Sequence, residues 1–119
     1  MKDNWIYRRG DVYLVDLGTN VGSEQSGCRP VLLLQNNVGN HFGPTLIVAP
    51  ITSRVWKKTR QPTHCFLEKT EFLNDDSMVL LEQITTIDKC RIKKYLGSLD
   101  KAQMCEIDNC IGVSLGLFE

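Results

Sequence analysis

Long hydrophobic runs are missing from this sequence. Across 119 residues the longest unbroken apolar stretches have four residues, Val31-Leu32-Leu33-Leu34 and Met78-Val79-Leu80-Leu81 among them, whereas a helix that crosses a bilayer needs about 20 such residues. The opening Met1-Lys2-Asp3-Asn4-Trp5 carries no apolar stretch of the secretory type, so a cytoplasmic protein without membrane contact is expected. Net charge is absent too: 14 Lys and Arg balance 14 Asp and Glu, and the overall basic excess of many nucleic-acid binders is lacking. No two of the five cysteines, Cys28, Cys65, Cys90, Cys105 and Cys110, stand at the C-x₂-C spacing of a zinc site. Their odd number, without a secretion signal, argues against a disulfide framework. His64-Cys65 has the residue types of a metal pair, but neighbouring strand residues point to opposite faces. No metal and no other cofactor is expected, and the thiols read as small apolar residues.

What the sequence does contain is enough to fold. Apolar residues make up 42% and charged residues 24%, which excludes a wholly disordered chain, and one domain over residues 1–119 is the expectation at this length. The charge is unevenly placed: residues 1–70 carry nine basic and five acidic groups, residues 71–119 five basic and nine acidic. Arg54, Lys57, Lys58 and Arg60 crowd between Ser53 and Pro62 with no acid among them. A local basic patch of this kind steers anions even where the total charge cancels.

Asp11–Leu17 is rich in β-branched and aromatic residues and predicts a strand. Gly18–Gly27, with three glycines and little to bury, predicts a mobile loop of functional length. Val31–Gln35 predicts a core strand that opens at Pro30, and Asn36–Pro44 a turn with at most one helical turn. Thr45–Thr52 predicts a third strand, with Pro50 marking an edge or a bulge. Thr63–Glu68 predicts a fourth strand and Met78–Ile87 the fifth and longest. Asp88 caps a short helix through Arg91 in this reading, and a small strand follows at Lys94–Leu96. Asp100 and Gln103 have the spacing of a capping box, and Met104, Ile107, Ile111 and Leu115 then recur at helical spacing to about Leu117. The fold class expected is mainly β: a small, strongly bent antiparallel barrel of five to six strands with a C-terminal helix over one opening or against another subunit.

Four features are candidates for one site: the glycine-rich loop with Ser23, Glu24 and Gln25, then Arg29, Thr52, and Glu82-Gln83. Each also has an ordinary structural explanation as a surface cation, a β-former or a solvated acid. Glu82 is the least comfortable, because a strand would place it beside Leu80 and Ile84, where a carboxylate needs a donor or a raised pKa. Ser53 and Arg54, then Trp56 and Arg60, put an aromatic ring among cations, the equipment for stacking a base while holding phosphates.

Arg9-Gly10-Asp11-Val12-Tyr13, Gly22-Ser23-Glu24-Gln25-x-Gly27-x-Arg29-Pro30-Val31, Pro44-Thr45, Ile51-Thr52-Ser53 and Leu81-Glu82-Gln83-Ile84-Thr85-Thr86-Ile87-Asp88 together resemble the MazF/PemK family of toxin endoribonucleases, above all its Gram-positive branch. The resemblance runs from about Tyr7 to Phe118. It implies an SH3-like barrel, a homodimer, metal-independent and sequence-specific cleavage of single-stranded RNA such as mRNA, and a cognate MazE-like antitoxin as inhibitor. Position by position, it implies catalytic roles for Arg29 and Thr52, a loop with Glu24 and Gln25 that closes over RNA, and a base contact for Gln83. One branch of the family has an Arg and a His where this chain has Leu80 and Ser23, so a mechanism built on those two groups does not transfer.

The chemistry needs few groups. The ribose 2′-hydroxyl attacks the adjacent phosphorus, leaving a 2′,3′-cyclic phosphate and a 5′-hydroxyl. Arg29 suits charge stabilisation through its planar fork, and Thr52 donates a further hydrogen bond. A guanidinium with a pKa above about 12 is a poor base, so a carboxylate, Glu24 or Glu82, is the expected proton acceptor. The alternative is a non-enzymatic toxin of the same fold that poisons DNA gyrase by protein contact.

Overall fold

The computed structural model describes residues 6–19, 22, 27–53 and 63–118. In chain order these form strands β1 (Asp11–Asp16) and β2 (Cys28–Leu33), helix α1 (Asn37–Phe42), strands β3 (Thr45–Thr52), β4 (His64–Leu67), β5 (Ser77–Leu80), β6 (Thr85–Asp88) and β7 (Ile92–Ser98), and helix α2 (Lys101–Ser114). Short 3₁₀ turns occupy Leu81–Gln83 and Lys89–Arg91. The strands lie in the order β4-β5-β3-β2-β1-β7, with β6 also on β3, and every ladder is antiparallel.

β3 organises this sheet. One edge pairs with β2, while the other pairs with β6 through Thr45–Val48 and with β5 through Ile51 and Thr52. Pro50 falls where the second edge changes partner, so its missing N–H leaves no ladder acceptor unmet. The expected edge or bulge is therefore a change of partner within a central strand. The same switch divides the single strand expected at Met78–Ile87: the 3₁₀ turn Leu81–Gln83 carries the chain from the β5 ladder to the β6 ladder, which raises the strand count to seven among the described residues. β2 also starts earlier than expected, at Cys28, with Pro30 inside it. Its recorded ladder with β3 begins only at Val31, so no pairing donor is asked of Pro30 on that side.

Alternation places a core on each face of the sheet. On one side Leu32, Ala49, Ile51 and Val79 are buried with Ile107 of α2, and Met104 and Ile111 pack against them. On the other, Tyr13, Val15, Val31, Leu33, Leu46 and Val48 are buried with Ile87 and Ile92. Each fully buried aliphatic side chain contributes about 1.5–3 kcal/mol. The Arg9-Gly10-Asp11-Val12-Tyr13 segment has a structural task as well. Buried Asp11 accepts hydrogen bonds from Tyr13 Oη (2.8 Å), Ser98 Oγ (2.6 Å) and the Arg8 N–H (3.1 Å), which fixes the start of β1 to the end of β7. Burial and the adjacent Asp11 carboxyl push the Tyr13 phenol well above its ordinary range.

The caps form as the sequence predicts. Asp100 accepts from the Gln103 N–H while Gln103 Oε1 accepts from the Asp100 N–H, both at 2.8 Å. Asp88 accepts from the Cys90 N–H at 2.8 Å. The helix ends at Ser114, short of the expected Leu117. Gly116 adopts φ 72°, and the Leu117 N–H bonds Gly112 O at 2.8 Å, the glycine-terminated stop of many helices. Leu115 is consequently exposed rather than part of the apolar stripe. Ser114 Oγ donates to Leu81 O at 2.6 Å, so the last turn of α2 pins the 3₁₀ turn that carries Glu82 and Gln83.

Candidate active site

The β2–β3 ladder sets Leu33 opposite Val48, Leu32 opposite Ala49 and Val31 opposite Pro50. The ladder ends at Val31 and Pro50; counted on two residues past that pair, the same register would set Arg29 opposite Thr52. Directly opposed residues of an antiparallel pair share a face, with Cβ atoms about 4.5–5.5 Å apart. On that extension Arg29, near the start of β2, and Thr52, the last residue of β3, make a polar rung at the end of the apolar face built from Leu33, Val48 and Val31. On its flanks Arg29 pairs with Val15 and Thr52 with Met78. Thr52 is 2% exposed and Arg29 half-buried, so neighbouring strands hold the hydroxyl rigidly while the longer cation retains access to solvent.

Ser53, the next residue, is an exposed bend just past β3. It lines a cleft of about 250 Å³ with Cys28, Arg29, Pro30, Ile51, Phe72 and Asn74. The structure therefore sets Arg29 and Ser53 on one cleft, with Thr52 buried between Ile51 and Ser53 at the end of β3.

Glu82 departs from its expected setting. It lies in the 3₁₀ turn and is exposed, not on a strand between Leu80 and Ile84, because the chain coils where it leaves β5. The donor that its carboxylate was expected to need is nonetheless present: His64 Nε2 lies 2.6 Å from Glu82 Oε2. An ionised carboxylate only accepts, so in that state Nε2 carries the proton. The His64 side chain is 2% exposed and that of Glu82 35%, so the buried ring fixes the orientation of the more accessible acid. Among the described residues, Nδ1 of His64 has no hydrogen-bond partner. Because His64 pairs with Leu80 and Phe66 with Met78, His64 shares the sheet face of Met78 and Thr52. In the sequence His64 is weighed as a metal ligand and as a partner for Cys28, and no local pattern links it to an acid 18 positions away. Gln83, half-buried in the same turn, stands beside Glu82.

Ser23, Glu24, Gln25, Arg54, Trp56 and Arg60 lie outside the described residues, as does most of the expected mobile loop. The base of that loop is described. The Leu17 N–H donates to Gly27 O at 2.9 Å, and the Gly27 N–H to Gly18 O at 2.8 Å. Gly18 and Gly27 take φ of 73° and 77°, a conformation that favours glycine. The segment bearing Glu24 and Gln25 is therefore tethered two residues before Arg29. Among the described residues, no group of three His, Cys, Asp or Glu side chains is placed to hold a metal ion, and no helix is long and apolar enough to cross a membrane.

A bent antiparallel sheet with one covering helix, ending one face on a guanidinium beside a hydroxyl, defines a small mainly β protein of the SH3-like, barrel-like class. Within that class the chain belongs to the PemK-like, MazF-like toxins of type II toxin–antitoxin systems, whose family model matches residues 8–115. It is 52% identical over 113 residues to the endoribonuclease MazF of Staphylococcus saprophyticus, covering 94% of this chain and 93% of that protein. It is 51% identical over the same length to the endoribonuclease MazF of Staphylococcus epidermidis, with the same coverage. Among solved structures, an endoribonuclease in complex with its cognate antitoxin from a mycobacterial species is similar with a TM-score of 0.78 and 27% identity, over 93% of this chain and 96% of that one.

Proposed function

We propose that this chain is a cytoplasmic toxin that cuts single-stranded RNA, mRNA included, at specific sequences without a metal, acts as a homodimer, and is held in check by a cognate MazE-like antitoxin. The observation that carries this reading is the Arg29–Thr52 rung in a chain of this family. RNA supplies its own nucleophile, so the protein needs only to position the 2′-oxygen in line, accept its proton and stabilise the charge that builds on phosphorus. Arg29 does the last through two parallel hydrogen bonds to phosphate oxygens, and Thr52 Oγ1 donates to the same group. Because Thr52 is pre-positioned by the sheet, little reorganisation accompanies its contribution.

A carboxylate takes the 2′-proton. The two candidates are Glu24, in the loop segment before Gly27, and Glu82, on the 3₁₀ turn with His64 Nε2 at 2.6 Å. Gln83, Ser23 and Gln25, with the Ser53, Arg54, Trp56 and Arg60 segment, contact the bases and phosphates on either side of the cut. The exposed side chains Val113, Leu115, Leu117 and Phe118 at the end of α2 support a further subunit or antitoxin contact, since exposed apolar clusters mark interfaces.

The test is end-labelled RNA incubated with the purified protein in excess EDTA. Expected are discrete cuts that leave 2′,3′-cyclic phosphate and 5′-hydroxyl ends. Intact RNA, together with inhibition of DNA gyrase by the same preparation, would favour the non-enzymatic toxin instead.

A further inference from the structure

We propose that Cys65 and Cys110 form an oxidisable dithiol, and that hydroperoxides convert it to a disulfide stapling α2 to β4. This modification site is separate from the Arg29–Thr52 rung and does not depend on RNA cleavage. Cys65 sits in the middle of β4, on the face turned towards α2, and is 4% exposed within the core that the helix covers. Cys110, on the third turn of α2, packs against that same core, near enough to Cys65 to raise its thiol pKa. Both line one open cleft of about 650 Å³ between strand and helix, with Gln103, Glu106 and Asn109 on the helix side. A small oxidant therefore has a route to two thiols that line the same cleft.

The remaining cysteines lack this arrangement. Cys28, Cys90 and Cys105 are exposed, and Cys105 lies five residues before Cys110 on the helix, turned about 140° away from it.

The environments of the two sulfurs set the order of events. Burial, then the adjacent Cys110 and the Glu106 carboxylate, push the Cys65 thiol up to about 12, so at neutral pH it holds its proton and reacts slowly with peroxide. Half-buried Cys110 is the accessible partner. Its thiolate attacks one peroxide oxygen, forming an S–O bond while the O–O bond breaks; the departing hydroxide takes up a proton to give water, and Cys110 becomes a sulfenic acid. The Cys65 sulfur then attacks the Cys110 sulfur. The S–S bond forms as the S–O bond breaks, and the Cys65 proton leaves with the hydroxyl as a second water. In sum, two thiols lose two electrons and two protons, and one hydrogen peroxide is reduced to two waters. A dithiol reductant reverses the change by exchange.

The test uses the full-length protein, treated with a few equivalents of hydrogen peroxide, blocked with an alkylating agent, and digested without reduction by cleavage after Lys, Arg and Glu. Cutting at Glu106 separates Cys105 from Cys110, so the two are distinguished. Expected is a cross-linked pair of peptides carrying Cys65 and Cys110, lost on treatment with dithiothreitol, and a melting temperature higher for the oxidised than for the reduced protein. Cys110→Ser abolishes the link, and Cys105→Ser leaves it intact. In Cys65→Ala, Cys110 is expected to run on to sulfinic acid for want of a resolving thiol; if that variant does not fold, the Cys110→Ser and Cys105→Ser pair decides. Sulfinic acid on Cys110 of the unmodified protein with Cys65 still open to alkylation after unfolding, or a link from Cys110 to any other cysteine, overturns the proposal.

Discussion

At Arg29 the shape of the side chain matters as much as its charge. A guanidinium fork meets two phosphate oxygens at once, whereas an ammonium offers a single point charge. Arg29→Lys is therefore expected to recover little of the cleavage lost in Arg29→Ala. Thr52 separates hydroxyl from shape: Thr52→Val keeps the buried volume and removes the donor, for an expected loss of about 10²–10³ in rate, while Thr52→Ser keeps the donor and most of the rate. Single-turnover cleavage of one defined RNA measures both. The choice of base belongs to this scale too. Whichever of Glu24→Gln and Glu82→Gln loses the acidic limb of its pH–rate curve identifies the proton acceptor, a role of roughly 10²–10⁴-fold; unchanged profiles in both exclude a carboxylate base. Asp11 is a stability residue by contrast. Asp11→Ala removes the acceptor shared by the Tyr13 and Ser98 hydroxyls and the Arg8 N–H, with an expected cost of about 1–3 kcal/mol, read from denaturant unfolding.

Among the elements, β3 determines where the site can be. It is the strand that pairs with β2 on one edge and with both β5 and β6 on the other, and Thr52 is its last residue. β7 is constrained differently. A Cβ at Gly97 would collide with the ring of Phe72, which packs against the helix-side core; Gly97→Ala is expected to cost about 1–3 kcal/mol through overpacking. The capping box of α2 is a smaller effect, and Asp100→Ala is expected to lower stability by about 1 kcal/mol. Asp88 adds a pH dependence whose sign follows from its cap. The Cys90 N–H holds its carboxyl below the ordinary carboxylate range, so its contribution is complete above the unfolded-state pKa and is lost as pH falls through the lower folded value. Thermal melts of the native chain and of Asp88→Asn, which does not titrate there, should converge in acid, differ in pH slope between the folded and unfolded pKa values, and run parallel above both.

For the whole molecule, local signals in the sequence were legible and distant pairings were not. The strand at Thr45–Thr52, both caps and the turn before β5 can be read from a few neighbouring residues, because caps and turns are local hydrogen-bonding problems. The apolar run Met78–Ile87 misleads: its composition suits a strand throughout, and only the partner change along β3, a fact of tertiary pairing, forces the coil at Leu81–Gln83. Arg29 and Thr52 could be named from resemblance, but their apposition depends on the β2–β3 register. His64 beside Glu82 was invisible, since nothing in either segment specifies the other. Six of the residues named for RNA contact or catalysis, Ser23, Glu24, Gln25, Arg54, Trp56 and Arg60, fall outside the described part of the chain; their roles rest on resemblance and chemistry alone.

A guanidinium and a hydroxyl that serve one phosphodiester should fail together. The direct measurement is a double-mutant cycle on cleavage rate with Arg29→Ala, Thr52→Ala and the combined variant, each checked for native folding and oligomeric state. Strong non-additivity is expected, the double variant being hardly slower than the more damaged single one, as for groups that act as a unit. Full cleavage by either single variant, or losses that simply multiply, would contradict a shared site on one scissile phosphate.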